Sequence, residues 1–585
     1  MNNEFYPHLY HLATKIYDIE VESNCYQNYT IHDIAQLAFQ IDHLSLKNIP
    51  ECIEKSIVLK SLKFSFYSTL SNLEVNEYKN NSNYNDDIEK EILFSHKYYS
   101  KQLPTIDIAN ALESIMKTNI DIKKISLLLT FAQRTEILLQ YGGDDRLTLD
   151  IKSSKLNKYF STTFPRLNVL KRGSCTCSTI SLDTYFQADI KRLELLKLTI
   201  TNGNIDQLME SECHILRSRI FQVLQLEADK ESEVVLFPSG SDAEFLPLLI
   251  AISRTLSKVS SDSKAKVFNY VIAAGEVGSG TPNAATGKHF SPLSPKGNEQ
   301  KNNETLKGID EEMIKTISFK PRSNSGAAEF LENEIIMDIS EKLNRFEDSV
   351  AVLHLVVASK TGLIYPSMNT INTLKELYKD RIVITVDACQ LRCRLDIVRE
   401  YIQQNFVVLI TGSKFYTGPP FSGAVVIPKQ SKLDLERLFS KFNNSSNKSG
   451  PIGIQDYLTK YDIPLTMPEM KKFLCSEWYN AGLLLRWHCA LPIMEAYRDL
   501  NPSLVLQLTK SWIDHVKENL KLHEEYLKIV EVTEGIDDNI ILGNSNTIIS
   551  VAICKRGNNF LNVDELKEFH SKMTQSLSID NDVNK

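Results

Sequence analysis

The chain has no long hydrophobic run, no large excess of charge of one sign, and few cysteines for its length. No apolar stretch reaches the roughly 18–20 residues that a membrane-crossing helix needs. The opening MNNEFYPHLYHLATK lacks a basic start followed by an apolar core, so no secretory signal and a cytoplasmic location are the expectation. Net charge is −7 over 585 residues, which gives no reason to expect a nucleic-acid or acidic-membrane partner. The 10 cysteines are too sparse for a disulfide scaffold and suit a reducing compartment. Neither Cys175-x-Cys177 nor Cys389-x-x-x-Cys393 has zinc-ligand spacing, so no metal is expected. Internal repeats are absent as well.

What is present is an ordinary globular composition, 42 % hydrophobic and 24 % charged. The length allows roughly two to four domains. Residues 1–150 read as a helical region: TIHDIAQLAFQIDHL and IDIKKISLLLTFAQRTEILLQYGG place apolar residues three and four apart, and the second ends on Gly142 and Gly143, a helix stop. A polar stretch at residues 76–91 reads as a loop. Residues 151–470 form the expected large α/β domain. There the runs VVLFPSG, VFNYVIAAG, VAVLHLVVAS, RIVITVDA, FVVLITGS and GAVVIP read as strands, with AEFLPLLIAISRTLSKV and TINTLKELYKD as helices between them. Continuous apolar strands alternating with helices predict a three-layer, mostly parallel sheet with helices on both faces. Residues 471–585 read as a small α+β domain opened by the helix NAGLLLRWHCALPIMEAY and closed by the strand NTIISVAIC and the helix NVDELKEFHSKMTQSL.

Ligands of such sheets bind at the carboxyl ends of the strands, and three of these ends carry polar residues. In VVLFPSGSDAE, a strand runs into Ser239, Gly240, Ser241 and Asp242, a turn whose backbone N–H groups can cradle a phosphate or whose Ser241 or Asp242 can simply cap the next helix. RIVITVDACQ ends on Asp387, an acid that is costly to bury unless a cation or donor faces it or it caps a helix. FVVLITGSK ends on Lys414, which at a partly desolvated strand end can act as an amine nucleophile, where a lone lysine would ordinarily snorkel to the surface. A phosphate cradle, a buried acid and a strand-end lysine, in that order, are the parts that hold pyridoxal 5′-phosphate.

On these motifs the chain resembles the fold-type-I pyridoxal-phosphate enzymes, in particular the class V aminotransferase and cysteine desulfurase branch. VDACQ is similar to that branch's Asp-x-x-Gln motif, TGSKFYTGPPFSGAVVIP to its Ser-x-His-Lys segment, and HLVVASKTGLIYPS to its segment ending in glycine before a helix. The resemblance implies that Lys414 is the Schiff-base lysine, that Asp387 partners the pyridine nitrogen and that Gln390 approaches the ring hydroxyl. It further implies phosphate contacts from the backbone of Gly240, Ser241 and Asp242 and from the hydroxyls of Thr411 and Ser413. The chain departs from the branch in three places. Ser413 stands where histidine is usual. Glu276-Val277-Gly278 occupies the place of the ring-stacking histidine or aromatic, with His289 the alternative further on. Ala358 or Ser359 falls at the usual asparagine.

The expected function is a transaminase, lyase or decarboxylase acting on an amino acid or related amine, working as a homodimer. Arg556 and Arg486 are the candidates for a substrate carboxylate. Cys475 is the candidate thiol should the reaction be desulfuration, though a structural thiol is the simpler reading. The basic residues 164–178 line the site mouth or form a plain loop. Two rival functions stand beside this one: a catalytically silent relative serving as an interaction platform, and a nucleotide-binding α/β enzyme. The last lacks both a Gly-x-Gly-x-x-Gly pattern and a Walker lysine.

Overall fold

The computed structural model describes residues 135–149, 156–163, 165, 180–201, 204–226, 232–258, 265–323, 329–445, 450–474, 478–530, 547–555 and 560–573, together with residues 127, 130 and 131. The expected front helix TIHDIAQLAFQIDHL, the loop at 76–91, Cys175, Cys177, Cys475 and Arg556 lie outside the described residues.

Eight strands form one sheet: β1 (Glu233–Phe237), β2 (Val267–Val271), β3 (Ile314–Ser318), β4 (Val350–Val357), β5 (Ile364–Tyr365), β6 (Ile382–Ala388), β7 (Val407–Thr411) and β8 (Gly423–Ile427). The order is β1-β8-β7-β6-β4-β2-β3, with β5 paired to β4. Strands β7, β6, β4, β2 and β3 pair in parallel, while β8 runs antiparallel to both β7 and β1. The expected mostly parallel sheet is therefore present, and all six strands read from the sequence are in it.

Its strands are apolar on both faces because both faces are covered. Successive residues alternate between two cores: Val234 and Leu236 of β1 belong to one, Val235 and Phe237 to the other. Helix α1 (Leu182–Thr201), α2 (Ile205–Val223), α4 (Glu332–Arg345), α5 (Met368–Tyr378), α6 (Ile397–Gln403) and α8 (Ala481–Arg498) contribute to the first core. Helix α3 (Phe245–Leu256) and α7 (Lys429–Asn443) build the second. Eleven residues of α3 are buried between the sheet and α7, which is why its FLPLLIAI is apolar all round, and the buried Arg254 near its end pairs with Asp434.

Helix α8 was expected to open a separate C-terminal unit. Instead it packs on α1 and α2, with Leu483, Leu485, Trp487 and Leu491 inside the main core. Beyond it, α9 (Pro502–Lys521), β9 (Leu527–Val530), β10 (Ser550–Ile553) and α10 (Val563–Met573) form a small α+β unit around an antiparallel pair. Among the described residues no helix is long and apolar enough to cross a membrane.

Candidate active site

The carboxyl ends of β1, β2, β4, β6 and β7 open onto one cavity of about 220 Å³. Gly240, Ser241, Asp387, Gln390, Thr411, Ser413 and Lys414 all line it, so seven of the residues singled out in the sequence meet at one place.

Asp387 is the next-to-last residue of β6 and only 8 % exposed. Its Oδ1 accepts a hydrogen bond from the Cys389 amide at 3.1 Å. The pleat puts Val383, Thr385 and Asp387 on the α3 side of the sheet, beside Val350, Val352 and His354 of β4. There His354 Nε2 lies 3.2 Å from Glu244 Oε2, an ion pair without the alignment of a hydrogen bond, both side chains almost fully buried. Burial raises the Glu244 carboxyl pKa against the pull of His354. For His354 burial works downward, yet the charges of Glu244 and Asp387 leave its pKa raised. Asp387 thus backs onto a buried, proton-holding pair.

Lys414 follows β7 by three residues and is half-buried. Its amine makes no hydrogen bond or ion pair among the described residues, yet its field reaches Cys389, whose thiol pKa is pushed well up by burial and by Asp387 and eased by Lys414. The two charged groups therefore flank the same thiol. Thr411 Oγ1 donates to the Cys389 carbonyl at 2.6 Å and ties the ends of β6 and β7 together; Ser413 Oγ donates to Thr411 Oγ1 at 3.4 Å. The Thr411 proton, expected to reach a phosphate, is thus spent within the protein.

At the end of β1, Ser239 caps the turn: its Oγ accepts from the Asp242 amide at 3.2 Å. That corrects the expectation that the Asp242 amide faces a ligand. The amides of Gly240 and Ser241 make no hydrogen bond among the described residues and are open to an anion. A Cβ on Gly240 would lie 2.5 Å from Cys389 Sγ and 3.2 Å from Thr411 Cγ2, so the turn packs against the Asp387–Lys414 side with no room for a side chain. Asp242 does not line the cavity. It is buried behind the turn with both carboxyl oxygens lacking a hydrogen-bond partner.

The opposite wall departs from expectation. Val277 and Glu276 line the cavity at the place expected for a stacking ring. Glu276 is fixed by Arg322 Nε at 2.5 Å, by Ser359 Oγ at 2.5 Å and by Thr361 Oγ1. His289 lies elsewhere, its Nδ1 2.7 Å from the Tyr457 hydroxyl. Ala358 and Phe421 line the cavity with φ of 58° and 70°, conformations that cost about 1–3 kcal/mol each and collect at functional sites.

Two further lining residues, Arg146 and Tyr159, lie on either side of the domain boundary expected at 150, just beyond the helix stop at Gly142 and Gly143. Arg146 Nε and Nη2 bond both oxygens of Asp144 at 2.6–2.9 Å. The guanidinium sits over the rings of Phe421 and Phe290 at 4.8 and 5.3 Å. Tyr159 stands in a turn knotted by Asn157 Oδ1, which accepts from the Tyr159 and Ser161 amides, and the Lys158 amide returns to the Arg146 carbonyl. The expected domain boundary near 150 thus runs between two residues that meet at one cavity.

Arg486, expected to bind a substrate carboxylate, does something else. It is fully buried and donates to four backbone carbonyls: Phe421 at 2.6 Å, Leu139 at 3.0 Å, Tyr141 at 2.5 Å and Gly142 at 3.1 Å. Burial lowers its pKa, and the carbonyls hold its charge. Asn480, the cap of α8, adds a bond from Nδ2 to the Gly142 carbonyl at 2.9 Å. A Cβ on Gly482 would meet the Tyr141 oxygen at 2.0 Å, so the segment lies directly on α8. Arg486 is the clamp that carries Arg146 to the cavity. An arginine inside the otherwise apolar AGLLLRWHCALP was the sequence signal for such burial.

No family model and no curated protein matches the chain. Among solved structures it is similar to the 4-hydroxyphenylacetaldehyde synthase of Rhodiola rosea, with 10 % identity and a TM-score of 0.40 over 63 % of this chain and 66 % of that one. It is also similar to the tryptophan decarboxylase of Catharanthus roseus in complex with L-tryptophan, with 12 % identity and a TM-score of 0.43 over 86 % and 89 %. A third similarity is to a phosphoserine aminotransferase of Cytophaga hutchinsonii, with 14 % identity and a TM-score of 0.36 over 61 % and 78 %. At such scores the site has to be read from its own side chains.

Proposed function

We propose that the cavity holds pyridoxal 5′-phosphate and that the protein is an enzyme acting on an amino acid or related amine, of transaminase, lyase or decarboxylase type. The observation that carries this reading is the meeting of Lys414, an amine with no partner among the described residues, with buried Asp387 and the open amides of Gly240 and Ser241 in one cavity. The residues fit the group. The Gly240 and Ser241 amides are open to a phosphate, Ser413 and Ser241 offer hydroxyls, and Asp387 is a carboxylate for a ring nitrogen. When bound, the cofactor supplies an aldehyde for amines and a pyridinium that withdraws electrons from bonds at the α-carbon.

Each residue then has a separate task. Lys414 Nζ would provide the amine that holds the aldehyde and would be positioned as a base inside the cavity. Asp387 keeps a proton at the pyridine nitrogen, and the His354–Glu244 pair behind it supports that charge. Val277 and Val356 would give the cavity apolar surface that keeps water from a bound cofactor. The Asp387-x-x-Gln390 segment and Lys414 with the Gly-rich turn and strand after it support the class V branch, and the dimeric assembly that the resemblance implies belongs to the same proposal.

The test is chemical. Protein incubated with pyridoxal 5′-phosphate is expected to gain a visible absorption band, and borohydride is expected to fix the cofactor on the peptide carrying Lys414, read by mass. A folded Lys414→Ala variant should gain neither. Unchanged labelling of that variant, or no uptake by the parent protein, overturns the assignment.

A further inference from the structure

Asp242 is the residue that fits a phosphate site least. It is 1 % exposed, neither carboxyl oxygen has a hydrogen-bond partner, and its own amide closes the turn whose neighbouring amides are open. An ionised carboxylate there opposes any anion on those amides. A cation that lines the cavity and acts on Asp242 is Arg146, braced by Asp144, with Nη1 not spent on that brace.

We infer that this end of the cavity is a proton-gated phosphate subsite: Arg146 and the Gly240 and Ser241 amides take the dianion, and Asp242 takes up one proton from solvent as the anion enters. The inference rests on the cofactor reading above and adds how binding is controlled. The groups that act on Asp242 come from every side. Asp144, Arg146 and Tyr159 belong to the clamped segment, Tyr457 and Arg486 lie beyond it, and Ser239 contributes its hydroxyl. Strands β7 and β8 and the turn Thr281–Ala285, which pack on residues 240–243, carry no titratable side chain. Glu233 of β1 is at the far end of its strand and bonds Lys432, while Glu244 is engaged with His354.

The sign follows from burial. Desolvation first, with Asp144 adding, raises the Asp242 pKa to about 7, while Arg146 and Ser239 oppose the rise. A bound dianion raises it further. Below that pH the carboxyl is neutral and costs the anion nothing. Above it, binding weakens by up to about tenfold per pH unit until the pKa of the bound state is passed. The phosphate's own second ionisation runs the other way, because it supplies more dianion as pH rises.

Calorimetric titration of the full-length apoprotein with pyridoxine 5′-phosphate, which has no aldehyde for Lys414, tests this at pH 8 in buffers of different ionisation enthalpy. Wild type is expected to take up about one more proton per ligand than Asp242→Asn, whose affinity should also fall less between pH 7 and 8. Arg146→Gln should bind about 10- to 100-fold more weakly through loss of a charge-assisted contact. If Asp242→Asn does not fold, direct calorimetric titration of wild type with inorganic phosphate decides the matter, because phosphate has no ring nitrogen to titrate. Weaker phosphate binding at pH 8 than at pH 7 supports the gate, and equal or stronger binding overturns it. Equal proton uptake by wild type and Asp242→Asn overturns the gate alone. Binding of no ligand at any pH overturns the cofactor reading and the gate together.

Discussion

Apart from the wall of Glu276, Val277 and Ala358, the cavity lining is built in two ways. One wall is made by strand ends: Ser239 to Ser241 after β1, Asp387 to Gln390 at β6, Thr411 to Lys414 at β7. Each of these groups sits where an apolar run stops, so its position follows from the pleat and from burial of the strand before it. The other wall is made by Arg146, Tyr159 and Phe421, and none of these lies at the end of a parallel strand. Arg486 holds Phe421 by its carbonyl and the segment before Arg146 by carbonyls 347, 345 and 344 positions away, and the Lys158 amide ties the Tyr159 turn to Arg146. Local patterning places the first wall, and long-range hydrogen bonding places the second.

The sharpest way to break this difference is at the clamp. Arg486→Met keeps bulk but orphans four carbonyls, and a loss of about 3–5 kcal/mol is expected. It should appear as a lower midpoint in urea. Variant protein kept folded at low temperature should also bind pyridoxine 5′-phosphate more weakly than wild type, because Arg146 is no longer held. A wild-type midpoint would mean that residues 139–142 are anchored by something else.

The strand-end wall can be disturbed at Gly240. Alanine there puts Cβ 2.5 Å from Cys389 Sγ. Such overpacking costs about 1–3 kcal/mol. Because the obstacle is a side chain, Cys389→Ala in the same protein should recover most of the loss, which thermal unfolding of the single and double variants will show. Failure of the second substitution to help would mean that the Thr411 methyl at 3.2 Å, not the thiol, sets the limit.

The same contrast explains what was legible in the sequence. Six strands, α3, α5 and α8, and the seven strand-end residues of the cavity were readable because periodicity and burial determine them. Edge strand β3 was not, because IKTIS is half polar and partly exposed and resembles a loop. Arg146 was hidden in GGDDRLTLD, a polar stretch whose role comes only from its contacts. Arg486 was noticed but misassigned: residue type suggested a ligand for carboxylate, whereas an arginine surrounded by LLL and WHCAL is buried and must find partners within the protein. Glu276 looked like a missing aromatic and is instead a buried acid neutralised by Arg322, a pairing across 46 positions that no local pattern marks.

The smallest expected effect separates two roles of one hydroxyl. Motif resemblance gives Thr411 to a phosphate, whereas its proton goes to the Cys389 carbonyl and joins two strand ends. Valine has nearly the same shape and no donor. Thr411→Val should therefore cost about 1 kcal/mol of stability, the net worth of one buried hydrogen bond with its acceptor left open. Affinity for pyridoxine 5′-phosphate should stay at the wild-type level. If affinity drops while the unfolding midpoint does not move, the hydroxyl belongs to the ligand, and the strand-end wall is less self-sufficient than its hydrogen bonds suggest.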